Sequence, residues 1–221
     1  MRSPALLAVL VLLGAATGCA TDQGYLPIVA TRPVDLDLRG VDVAKFPIKR
    51  DVGASDTRVT SFLFIPTHDG PRLDRAIERA LERNGGDLLT RVHVRTRQYW
   101  LPLLSFETLS VVGDAVDIPN VDQPPGPVFS ALSTQNASVI GFQITGAPRV
   151  EGVEAEALVQ FILWIPTDVE SPTLQEVVNE ALARGNGNLI TGATVEHWWW
   201  VLPFVYGQEG WRVRGAVVRA N

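Results

Sequence analysis

Apolar and polar positions follow two alternating periods along this chain, and the whole alternation occurs twice. Residues 59–65 are nearly all apolar and end at Pro66, which predicts a strand buried on both faces. Leu73, Ile77, Ala80 and Leu81 then share one face at 3.6-residue spacing, with Arg and Asp/Glu opposite, predicting a helix lying on a sheet. Period two takes over at Val92 and Val94, which alternate with Arg91, His93, Arg95 and Arg97. A third strand is expected beyond Pro102, through Leu109, Val111 and Gly113.

The same succession returns 100 to 102 residues later. Phe62-Leu63-Phe64-Ile65-Pro66-Thr67 reappears as Ile162-Leu163-Trp164-Ile165-Pro166-Thr167, and Gly86-Asp87-Leu88-Leu89-Thr90 as Gly187-Asn188-Leu189-Ile190-Thr191. Leu101-Pro102 matches Leu202-Pro203, and Val111-Val112-Gly113 matches Val213-Arg214-Gly215. A duplication with one-residue insertions in loops is the simplest account. In the second copy Leu174, Val177, Val178, Ala181 and Leu182 form the helix face, with Ser171 or Thr173 as its cap, Thr173 making a capping box with Glu176. Asn84-Gly85-Gly86 and Gly185-Asn186-Gly187 supply left-handed helix stops.

These patterns predict an α+β fold of two tandem strand–helix–strand–strand units. Each unit is expected to be a mostly antiparallel sheet with one helix packed on it. The first unit is placed at residues 34–118 and the second at 138–221, with an added strand before each, near 34–38 and 139–144. Between them, residues 119–137 hold Pro119, Pro124, Pro125 and Pro127 and are expected to be a semi-rigid linker.

The N-terminus changes the picture from fold to address. Arg2 is followed by an apolar run at 5–13 and then by small residues up to Cys19. That run is too short to cross a hydrocarbon core of about 30 Å as a helix, and fits a cleaved signal. Ala16-Thr17-Gly18-Cys19 resembles the lipobox cut by lipoprotein signal peptidase. The resemblance implies a signal peptide at 1–18, a palmitate-bearing Cys19 and a tether at 19–33. Ala20 resembles the sorting pattern for the outer membrane, facing the periplasm. Cys19 is the chain's one cysteine, so no disulfide framework is available.

Net charge is −5 at pH 7, and loss of Arg2 with the leader makes it one unit more negative. No general attraction to nucleic acid or anionic lipid follows, so membrane affinity is left to the lipid. The recurring Ile-Pro, Ala-Leu helix, Gly-Asp/Asn-Leu-Leu/Ile-Thr and Val-x-Gly order resembles bacterial lipoproteins of the TRL-like type, with the unit doubled here. The resemblance implies fold and location and carries no activity.

Chemistry-bearing motifs are few. His68, His93 and His197 have no helical His spacing, no Cys partners and no HExxH, so neither a metal site nor any other cofactor is expected. Nucleophile-elbow and phosphate-loop motifs are absent, and no enzyme activity is expected. Two surfaces remain as interaction candidates. Arg91, Arg95 and Arg97 make a basic strand face, which suits a solvated face or a charged edge strand ahead of an acidic partner. Trp198, Trp199, Trp200, Phe204 and Tyr206 concentrate aromatic surface at a strand turn, which suits a protein partner, a second copy or the membrane, or else core between the units. The expected function is a non-enzymatic structural or assembly component of the envelope that associates with a partner protein or itself. A binding module for a small molecule or polymer is the alternative, with an unrecognised hydrolase behind it.

Overall fold

The computed structural model describes residues 18–32, 46–62, 65–66, 70–101, 104–118, 129–134, 146–162, 165–166, 172–202 and 206–219. The strands are β1 (Gly18–Ala30), β2 (Ile48–Phe62), β3 (Ile65–Pro66), β4 (Leu88–Leu101), β5 (Leu104–Val116), β6 (Ala131–Ser133), β7 (Arg149–Ile162), β8 (Ile165–Pro166), β9 (Leu189–Leu202) and β10 (Tyr206–Val218). The helices are α1 (Leu73–Asn84) and α2 (Leu174–Arg184). All ten strands join in one antiparallel sheet, ordered β3-β2-β5-β4-β1-β6-β9-β10-β7-β8.

That order overturns the expected α+β architecture of two units with separate sheets. Eight strands of three or more residues form one sheet, with two-residue strands at its ends, and only two helices accompany it, so the protein is nearly all-β. The joint lies where the sequence suggested connectors. Residues 18–30, which span the last residue of the expected signal peptide and most of the expected tether, are the central strand β1, paired with β4 from Gly18–Tyr99 to Val29–Leu89. Residues 131–133, within the expected Pro-rich linker, are β6, which bridges β1 to β9. Phe129 beside it is 1% exposed. The added strands expected near 34–38 and 139–144 lie outside the described residues.

The two halves carry the same elements in the same order within that sheet, β2-β3-α1-β4-β5 and β7-β8-α2-β9-β10. Positive φ recurs at matching places: Asp51 with Gly152, Gly85 with Asn186, and Arg91 with Gly192. Arg91 and Gly192 sit at bulges that shift the register of β4 on β5 and of β9 on β10. The bulge draws backbone toward the neighbouring strand, and a Cβ on Gly113 would lie 2.8 Å from the Thr90 carbonyl oxygen.

Two strand expectations need correction. β2 begins at Ile48, not at 59, and Val59, Leu158 and Ile162 are 42%, 39% and 50% exposed, so this run is not buried on both faces. β4, which carries the basic face, is an interior strand between β5 and β1 and not a charged edge. The helix faces match the pattern: Leu73, Ile77, Ala80 and Leu81, and Leu174, Val177, Val178, Ala181 and Leu182, are buried. Thr173 and Glu176 form the capping box, whereas α1 starts at Arg72 with no side-chain cap.

One core runs through both halves, including Val92, Val94 and Leu109 of the first and Ala193, Trp211 and Val213 of the second. Each helix also reaches the other half, α1 touching β9 and α2 touching β1. Beyond Ile28–Ala30, β1 has no second strand beside it among the described residues, which accommodates Pro27 without a lost ladder bond. Part of that open side is closed by α2: Gln175 accepts the Tyr25 N–H at 2.9 Å. Gly24, at φ 97, makes the approach possible, because a Cβ there would lie 2.5 Å from the Gln175 side chain.

Candidate functional site: a buried Glu-His-Glu cluster between the halves

The inward series of β9 runs Ala193, Val195, His197, and that of β5 runs Val111, Leu109, Glu107 back toward its start. On β10 it runs Val213, Trp211, Glu209. Where the halves meet, these three series end together and place three titratable groups at one point. His197 Nδ1 lies 2.7 Å from Glu107 Oε1, and its Nε2 lies 3.2 Å from Glu209 Oε1. Side-chain exposure is 1% for His197, 0% for Glu107 and 20% for Glu209.

Trp211 fixes the plane of the ring, its centroid 4.2 Å from that of His197 at 34°. Burial disfavours a charged imidazole, but the facing Glu107 carboxylate and then Glu209 outweigh it, holding the His197 pKa up to about 10. Neither oxygen of Glu107 accepts an aligned hydrogen bond despite the short approach to Nδ1. A fully buried carboxylate without a donor is costly and uncommon in a native core.

A satisfied polar network lies beside the cluster. Gln23 Oε1 accepts from Trp211 Nε1 at 2.8 Å and from the Leu174 N–H at 3.3 Å, and its Nε2 donates to Thr96 Oγ1 at 3.0 Å. Thr96 is the counterpart of His197 in the first half, just as Glu107 is the counterpart of Glu209. The cluster therefore combines a duplicated carboxylate pair with one unduplicated histidine.

The residues singled out from sequence are not brought together. Cys19 pairs with Gln98 near the start of β1. Arg95 and Arg97 are exposed on β4, and Arg91 sits at the bulge with its guanidinium on Asp114. Asp114 also accepts the Asp51 N–H at 3.1 Å, so Arg91 serves the bulge. Tyr25, Asp51, Arg91, His93 and Asp114 line an open depression there, and Gly152, Gly192 and Arg214 line its counterpart in the second half.

Trp198 is partly buried, with an Nε1 that has no hydrogen-bond partner. Trp199 and Trp200 lie on β9 opposite Glu209 and Gln208 of β10, and the Tyr206 hydroxyl accepts from Gln208. Phe204 lies outside the described residues. Sequence reasoning missed Glu107, His197 and Glu209 because it sought histidine and cysteine pairs at short spacing. The available signal was the offset: Glu107 and Glu209 stand 102 residues apart, as do Val111 and Val213. No protein-family model, curated protein or solved structure matches this chain.

Proposed function

We propose that the protein is a lipid-anchored component of a bacterial envelope, held through Cys19 and acting by protein contact without catalysis. The lipobox-like Ala16-Thr17-Gly18-Cys19 is the sequence basis, and its likeness to TRL-like lipoproteins agrees with it. The observation that carries the reading further is the register around Cys19. Cys19 itself pairs with Gln98, and the next row, paired with Gly18, runs Tyr99, Phe106, Val59 across β4, β5 and β2. Tyr99 and Val59 are each 42% exposed. An apolar row of this kind, one residue from an acylated cysteine in a paired strand, suits the headgroup layer, where an amphipathic Tyr is favoured. With no tether, the sheet itself abuts the membrane. No helix among the described residues is long and apolar enough to cross one.

Two measurements test this. Cys19→Ser is expected to leave uncut or soluble protein in place of a detergent-phase mature form; normal processing and retention would end the proposal. In the anchored protein a Tyr99→Cys spin label is expected to sense lipid-soluble relaxant more than a Gly146→Cys label. Equal accessibility would remove the direct-abutment part of the reading.

A further inference from the structure

We propose that Glu107, His197 and Glu209 form a binding site for one divalent transition-metal cation of the zinc, manganese or ferrous class, built across the two halves. The inference is independent of membrane anchoring. Two carboxylate oxygens and one imidazole nitrogen are a donor set these cations accept, with no thiolate to select copper(I). Magnesium and calcium, which call for all-oxygen shells of six or more ligands, fit it poorly.

Geometry supports the assignment. One donor atom from each residue lies within 4.8 Å of the others. A point exists that lies within about 2.8 Å of all three such atoms, against roughly 2.0–2.2 Å for zinc–nitrogen and zinc–oxygen bonds. Rotations moving each atom by under about 1 Å close that gap.

Burial points the same way. A cation would give the fully buried Glu107 oxygens an aligned partner, which the 2.7 Å approach of His197 Nδ1 does not supply. Glu209, at 20% exposure, marks the side from which an ion enters and where water completes the coordination. Trp211 holds the ring in place, and Gln23 in turn holds Trp211.

The test uses the full chain extracted in detergent, stripped with chelator and dialysed, then titrated separately with Zn2+, Mn2+ and Mg2+. One Zn2+ or Mn2+ per chain is expected, with little Mg2+. Saturation at about 100 times Kd is expected to raise Tm by about 5–10 °C. Glu209→Gln, at the partly exposed ligand, is expected to weaken binding about 100-fold or more while the stripped protein still melts cooperatively. Glu107→Gln is expected to do the same. If it fails to fold, Co2+ decides: its four-coordinate visible bands are expected in the parent chain and lost in Glu209→Gln. No transition-metal binding up to about 1 mM overturns the proposal, as does unchanged affinity or an unchanged Co2+ spectrum in Glu209→Gln.

Discussion

Thr96 and His197 occupy the same place in the two halves, and the protein serves them in opposite ways. Thr96 sits on a neutral network in which the Gln23 amide meets a donor or an acceptor at each end. His197 sits between two carboxylates, one of them fully buried and without an aligned donor. Duplication places equivalent positions near one another where the halves meet, and divergence then gives one a structural network and the other an excess of ligands. A core position whose hydrogen bonds close is explained by packing. One that does not close implies something more at the site.

The sharpest break of that comparison makes the second half copy the first. His197→Thr removes the only cationic partner facing Glu107 in the cluster and leaves a buried charge unpaired. Measured by urea melting in chelator, it is expected to cost about 3–5 kcal/mol. Adding Glu107→Gln removes the orphaned charge, so the double variant is expected to recover a large part of that loss. Additive losses would show that the two side chains are not coupled.

Gln23→Leu breaks the other side. It strands Trp211 Nε1, the Leu174 N–H and Thr96 Oγ1 in a site where Gln23 is 2% exposed. The expected loss is about 2–3 kcal/mol, smaller than for His197 because the abandoned groups are neutral. A loss under about 0.5 kcal/mol would mean that water replaces the amide without strain.

The contrast also explains what was legible in the chain. Both helix faces, the Thr173–Glu176 box and the 100-to-102-residue recurrence were visible because local period and cap chemistry determine them. β1 was not, because Asp22, Gly24 and Pro27 interrupt its first ten residues and only Leu26, Ile28, Val29 and Ala30 show a buried strand. β6 has three residues, too few for any period to show. The first half of β2 was hidden by Asp56, a polar residue at an inward position, buried because Arg79 and the Arg72 N–H meet its carboxylate. One continuous sheet follows from β1 and β6 alone, so missing them split it into two. The cluster was illegible for a related reason: its three ligands come from three strands and two halves.

The helix starts give a smaller contrast. α2 has its capping box and α1 has no side-chain cap. Thr173→Ala is expected to cost about 1 kcal/mol in thermal melting, leaving α2 capped no better than α1. A change below a few tenths would show that packing against β7 and β10 alone holds that end.

The bulges give the smallest expected effect and an asymmetric one. Arg91 has φ 53 and Gly192 φ 59, so the same left-handed turn is made once by a bulky residue and once by glycine. A Cβ at Gly192 would meet nothing within 4 Å. Gly192→Arg therefore bears the backbone cost, about 1 kcal/mol, less what it gains by restricting the unfolded chain, with Ala216 in place of an aspartate to receive the guanidinium. Arg91→Gly relieves the same strain but gives up the exposed Asp114 contact and frees the unfolded chain. Those terms nearly cancel, and its melting midpoint is expected to stay within about 2 °C of the parent. If the two substitutions prove equal and opposite, Asp114 contributes nothing at its bulge, and the difference between the halves there is steric alone.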